Sequence, residues 1–286
     1  MSEERAAAPR SERAYSGERR TWAQPEIPAG GPVVPRPASS VLLVRDGDSG
    51  DIELYMVRRP PASSFAADVF VFPGGGVAPA DWSAESLASA PSFDLATAWD
   101  SITRRGGEPP ERHELAFGFF YAAARELFEE AGVLLAPAAS PAGLEPLRAR
   151  LTGDQPGLAG LLRQDALSLD LAALIPFSHW VTPAYSPRRF DTRFFVAALP
   201  AGQIARYCGV ETTEGAWVTP RGMLDRCARG EVKMVHVTIE HLERVSRFSS
   251  VDDLLAYARS KSIRTVHPEL DAQRGTWAAD TEAEAW

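Results

Sequence analysis

The sequence predicts an α/β protein, a sandwich of helices around a mixed β-sheet. Three observations lead there. Short β-branched and aliphatic runs alternate with helical patterns along the chain. One long helix is signalled between about Glu111 and Ala131, with Gly132 as its stop. The 286 residues carry a 45% hydrophobic and 24% charged share, enough apolar material for a core of ordinary size.

Taken in order, residues 1 to 36 are rich in Ala, Pro, Arg, Glu and Ser without apolar periodicity, and read as a disordered tail. Structure is expected from about Ser39. Val41 to Val44 and Ile52 to Val57 read as two strands around the turn cluster Asp46-Gly47-Asp48-Ser49-Gly50. Val69 to Phe72 is a further strand, broken by Pro73-Gly74-Gly75-Gly76. From 82 to about 110 only Phe93 to Ile102 has a helical pattern. Leu174 to Val181, Phe190 to Leu199 and Gly215 to Val218 read as strands, and Arg221 to Ser260 as helices with turns. The expected organisation is a tail (1–36), one domain (37–260) with an inserted loop (82–112), and a C-terminal extension (261–286).

The formal net charge of −8 argues against a broad nucleic-acid footprint, which needs clustered Lys and Arg. No apolar run approaches the roughly 20 residues that span a bilayer. The tail has neither a secretory apolar stretch nor the acid-poor make-up of an organelle transit peptide. Cys208 and Cys227 lack metal-ligand spacing. The expectation is a cytoplasmic protein without nucleic-acid or membrane partners.

The chemistry is concentrated in Arg125-Glu126-Leu127-Phe128-Glu129-Glu130-Ala131-Gly132-Val133. On a helix, Glu126, Glu129 and Glu130 stand at i, i+3 and i+4 and share a face. Ala122 and Ala123 lie one turn earlier on that face. Phe117, Phe120, Ala124, Leu127 and Ala131 form an apolar stripe roughly opposite. Three neighbouring carboxylates repel one another, and a hard divalent cation turns that repulsion into binding. All-oxygen ligands favour Mg2+ or Mn2+.

The pattern resembles the Nudix box, G-x5-E-x7-R-E-U-x-E-E-x-G-U with U aliphatic. Its second half is complete at 125–133. In the first half the family glycine aligns with Gly75 and the first Glu with Asp81, a shorter acid. Residues 82 to 124 then separate Asp81 from Arg125, an expansion by about 36 residues over the usual spacing. This split box is similar to that of the coenzyme A diphosphatase subgroup of Nudix hydrolases, typified by nucleoside diphosphate-linked moiety X motif 19. Val57-Arg58-Arg59-Pro60, Phe70 to Gly75, Asp81-Trp82, Trp180-Val181-Thr182-Pro183 and Arg189 to Phe195 extend the likeness over roughly residues 37 to 260.

The resemblance implies a Nudix fold and metal-dependent hydrolysis of a diphosphate linkage in a nucleotide-containing small molecule. Coenzyme A or an acyl-CoA is the leading substrate, giving adenosine 3′,5′-bisphosphate and a phosphopantetheine. ADP-ribose or a nucleotide-sugar is the alternative, and a non-catalytic ligand sensor the rival of another class. Glu126, Glu129, Glu130 and the Gly75 carbonyl are then metal ligands, and Arg125 holds a box carboxylate. A further acid is expected from Glu211 or Glu214, with Glu214 preferred. Arg58, Arg59, Arg188, Arg189 and Arg193 are candidate cations for the substrate's phosphates, with Arg189 first and Arg58 next for a 3′-phosphate. On the strand, Arg189, Asp191 and Arg193 share a face and also fit a cross-strand salt ladder. His179, His236 and His241 make no ligand set. The inserted loop, with Trp82, Phe93, Trp99 and Ile102 in or beside it, reads either as a lid or as a self-contained decoration.

Overall fold

The computed structural model describes residues 30–48, 50–61, 67–151, 157–209, 212–271 and 276–278. The tail up to residue 29, Glu211 and the last residues of the chain lie outside them.

An eight-stranded mixed sheet forms the centre. β1 (Arg36–Asp46) and β2 (Ile52–Arg58) make the expected hairpin, Val44 opposite Leu54. β3 (Phe70–Val71) and β4 (Gly74–Gly76) follow, then β5 (Ile175–Val181), β6 (Phe190–Ala198), β7 (Glu214–Val218) and β8 (Thr265–Val266). The path is β3-β2-β1-β6-β5-β8, with β4 on β1 and β7 on β2. β1 and β6 run parallel, while β5 and β6 run antiparallel.

Layers explain why Val41 to Val44 is a continuous apolar run. Val41 and Leu43 face one core, with Phe195 and the helices α2 (Leu95–Thr103), α3 (His113–Ala131), α4 (Pro141–Leu151) and α5 (Leu158–Gln164). Leu42 and Val44 face the other, with Phe194, Val196 and the helices α6 (Pro220–Ala228), α7 (His236–Val245) and α8 (Val251–Ser260). A strand covered on both faces has no polar side to alternate.

Four differences from the sequence reading have physical causes. β1 starts at Arg36, before Ser39, because its N-terminal half pairs with β6 from Arg36↔Phe190 onward. The chain beyond 260 does not leave the domain at once. β8 pairs in parallel with β5, and Ile263 and Val266 are buried. α3 is not one-sided: every residue from Leu115 to Ala124 is buried, so Ala122 and Ala123 border no open face. At Gly118 the helix accepts the Trp82 ring, which a Cβ would meet at 2.6 Å.

The insertion is the fourth. It folds as α1 (Ala84–Ala88) and α2, and it packs into the core beside α3 rather than standing as a separate decoration. Phe93 packs 4.7 Å from Phe120, Ala98 and Ile102 are buried in the same core, and Trp99 stacks on His113 at 4.1 Å. Its C-terminal end is tied by hydrogen bonds. Arg105 donates to the carbonyls of Ala258 and Pro176, Ile263 N donates to Arg105 O, and Arg193 Nη2 donates to Glu108 O.

Candidate active site

The site begins where β1 and β2 diverge. β2 carries β7 on one edge along Leu54 to Arg58, so β3, pairing at Val57 and Arg58, lies on the edge facing β1. β4 then pairs with β1, Ser39 opposite Gly75. The chain from Phe70 to Gly76 is thus a wedge between the two strands. Its glycines matter through space. A Cβ at Gly74 would lie 2.4 Å from Ser39 O, and one at Gly75 would lie 2.4 Å from Glu126 Oε1. Only bare backbone fits between β1 and the acidic helix.

Arg125 organises that contact. Its Nε and Nη2 donate to Asp81 Oδ1 and Oδ2 at 2.8 and 3.1 Å. Nη1 donates to Glu126 Oε1 at 2.7 Å and Glu129 Oε2 at 3.0 Å, and Nη2 also donates to Gly76 O. Burial opposes its charge, but the bonds to Asp81 and the charges of Glu126, Asp81 and Glu129 outweigh it and raise the guanidinium above its ordinary range. The sequence reading gave Arg125 one box carboxylate to hold; it holds three carboxylates and a carbonyl.

Asp81 stands where the family has its first Glu. Its side chain is 2% exposed, and besides Arg125 it accepts from Ala78 N at 2.7 Å, closing the turn Pro79–Trp82. It therefore joins the two halves of the split box across 43 intervening residues. The one signal in the sequence was its alignment with the family's first acid.

Glu126 and Glu130 are buried and Glu129 is more open. Glu130 Oε2 accepts from Gly74 N at 2.9 Å. Each box carboxylate thus has an N–H partner in the wedge or on Arg125. Among the described residues no three acids converge on one point. By chemistry the donor set fits a hard divalent cation: three carboxylates beside a glycine backbone that a Cβ would close off. Gly75 stands against Glu126.

Glu214 opens β7 opposite Arg58, at the sheet end that carries the wedge. Its side chain is 45% exposed and pairs with Arg58 at 3.4 Å. Glu211 lies outside the described residues. Arg58 also donates from Nε to Asp68 at 2.9 Å, with Nη2 2.7 Å away, and stacks over Phe70. Hydrogen bonding to Asp68 raises its pKa. Its guanidinium thus pairs with two carboxylates, Asp68 and Glu214. Arg189 differs. Among the described residues it donates to two neutral carbonyls, Thr182 O at 2.9 Å and Val33 O at 2.8 Å.

In the Arg189, Asp191, Arg193 row, Asp191 lies 3.8 Å from Arg193 Nε on the same strand. Arg193 is buried, with its guanidinium 5.4 Å over Phe119. Asp191 meets His179 Nε2 at 2.5 Å, whose Nδ1 lies 2.8 Å from the Thr265 hydroxyl, which donates to Glu108. Burial lowers the His179 pKa. His241 is a core residue between Ser178 Oγ and Val237 O, pushed down to about 3 by burial. His236 stands apart beside Glu240 and Trp180.

Residues 28–245 match the family model of the NUDT19 Nudix domain. The chain is 29% identical over 264 residues to acyl-coenzyme A diphosphatase NUDT19 of Homo sapiens, covering 80% of this chain and 69% of the relative. It is 28% identical to the Gallus gallus protein of that name over 275 residues, 80% of this chain and 72% of the relative. Among solved structures it is similar to a NUDIX hydrolase from Alicyclobacillus acidocaldarius, with TM-score 0.62 and 29% identity over 81% of this chain and 99% of that one.

Proposed function

This chain belongs to the NUDT19 Nudix domain family, and from that premise we propose that it hydrolyses the diphosphate linkage of coenzyme A or an acyl-CoA. The products are adenosine 3′,5′-bisphosphate and a phosphopantetheine, acylated or not. The observation that carries this reading is the Asp81–Arg125 pair, which closes the split box around Glu126 and Glu129. The relatives named acyl-coenzyme A diphosphatase support the substrate class.

Water attacks one phosphorus and the P–O–P bond breaks, leaving the bridging oxygen on the other product. A divalent cation, when bound, neutralises and orients the diphosphate and makes water a better nucleophile. Glu126, Glu129, Glu130 and the Gly75 carbonyl are the residues that would hold it, and their hard oxygens favour Mg2+ or Mn2+. Arg125, itself fixed by Asp81, keeps Glu126 and Glu129 on the wedge side of α3. Glu214, half exposed at the same sheet end, is the assigned proton acceptor for the attacking water. Arg189 is the assigned partner of the 3′-phosphate, because among the described residues its guanidinium bonds only to the neutral carbonyls of Thr182 and Val33.

No helix among the described residues is long and apolar enough to cross a membrane. We place the enzyme in the cytoplasm, acting on a small nucleotide rather than on nucleic acid. The test is product identification after incubation with CoA, acyl-CoA, dephospho-CoA, ADP-ribose, NADH and dinucleoside polyphosphates with Mg2+ or Mn2+. Release of adenosine 3′,5′-bisphosphate from CoA is expected. Cleavage of ADP-ribose without cleavage of CoA overturns the substrate. Binding without turnover across the panel favours a ligand sensor.

A further inference from the structure

A buried arginine outside the box stands behind its last turn. Arg148, on α4, is 3% exposed. Its Nε and Nη2 both donate to the main-chain carbonyl of Glu129, at 3.0 and 2.7 Å. Its Nη1 donates to the carbonyl of Arg206 at 2.8 Å. Its one ion pair among the described residues, with Glu145, is long at 3.9 Å, and the Glu145 side chain is 68% exposed. The guanidinium is therefore held by neutral carbonyls.

Burying a cation is unfavourable without compensation, and an apolar side chain fills such a space more cheaply. What compensates here is the end of α3. The last carbonyls of a helix lack intrahelical partners and form the negative end of its dipole. Glu129 O is one of them, on the turn that also carries the Glu129 and Glu130 side chains. Gly132 makes the approach possible: it stops the helix at φ 67°, and a Cβ there would lie 2.9 Å from Arg148 Nη1. The Arg206 end is fixed too, since Arg206 N donates to Ala131 O at 2.8 Å. From Arg206 the chain continues toward β7 and Glu214.

We infer that Arg148 is a positioning residue of this hydrolase. It fixes the main chain of Glu129, and with it the direction in which the Glu129 and Glu130 carboxylates project. It also fastens that turn to the segment entering β7. This rests on the reading that α3 holds the divalent ions.

The experiment measures activity against Mg2+ concentration in Arg148→Met, Arg148→Lys and Leu147→Ala, with melting temperature beside each. Leu147, on the same helix, is buried in the core cluster. Arg148→Met keeps the stem but no donor. Its half-saturating Mg2+ concentration is expected to rise at least about tenfold, with kcat reduced and KM within about threefold. Arg148→Lys, with one cationic donor group, falls between Met and wild type. Leu147→Ala lowers the melting temperature without moving the Mg2+ curve. A wild-type Mg2+ curve in Arg148→Met, or in Arg148→Lys if the Met variant does not fold, overturns the inference. So does a Leu147→Ala curve displaced as far as that of Arg148→Met. Glu130→Gln tests the underlying reading separately: undiminished Mg2+-dependent turnover there discards the carboxylate site itself.

Discussion

Replacing Asp81 by Ala tests the joint between the two halves of the box. The perturbation removes a carboxylate 2% exposed, leaving Arg125, 18% exposed, without the acceptor of its Nε and of one Nη2 bond. Removing one partner of a buried ion pair costs about 3–5 kcal/mol, because the remaining charge stays buried. Arg125 keeps Glu126 and Glu129, which places the loss toward the lower end of that range. The turn Pro79–Trp82 also loses its bond from Ala78 N, worth about 1 kcal/mol. At about 2–4 °C per kcal/mol for a domain of this size, the melting temperature should fall by roughly 10 °C. A freed guanidinium shifts the two carboxylates it holds, and misplacement by about 1 Å costs on the order of 10²-fold in rate. Asp81→Asn retains one acceptor oxygen and should lose about half as much stability. Differential scanning fluorimetry and steady-state kinetics with CoA read both effects. A melting point within about 2 °C of wild type together with unchanged kcat/KM in Asp81→Ala would refute the role given to this pair.

Glu129→Gln and Glu130→Gln should each lower kcat at least about 10²-fold with Mg2+, and in chelator each should melt within about 2 °C of wild type, since relief of like-charge repulsion offsets the lost contacts; near-normal turnover in both contradicts the metal assignment. Arg189→Ala should weaken turnover of CoA relative to dephospho-CoA by about 1.5–3 kcal/mol, read as the ratio of kcat/KM values, and equal losses on both remove it from the 3′-phosphate. Phe93→Ala, in the insertion, should cost about 3–5 kcal/mol in chemical denaturation because the ring packs on Phe117 and Phe120; a cost below 1 kcal/mol returns the insertion to the status of a decoration. Burial, with Arg244 and Arg105 nearby, pushes Lys261 down to about 7 from 10.5. Between those values the unfolded chain holds a proton the folded one has shed, so stability should rise with pH across that window, and Lys261→Met should flatten the rise in denaturant titrations.

The acidic helix was legible because everything that defines it is local. The i, i+3, i+4 spacing of Glu126, Glu129 and Glu130 and the stop at Gly132 act within a few residues, and α3 ends at Ala131 as read. The strands β1, β2, β5, β6 and β7 were legible for the same reason, as β-branched and aliphatic runs between turns. α4 and α5 were not: α4 carries Pro146 inside it, which lacks the donor a helix interior uses, and α5 has only 7 residues. The extent of burial around α3 was also hidden, because periodicity marks the face a helix must bury and says nothing of what an inserted α1 and α2 will cover. The site itself divides along that line. The sequence by itself determined which carboxylates stand together on one helix. Only the tertiary structure decided what holds them: Asp81 reaches Arg125 from 44 positions away, and Arg148 reaches the carbonyl of Glu129 from α4. Such pairs form between segments that no local propensity relates, and their partners are chosen by how the sheet and helices pack.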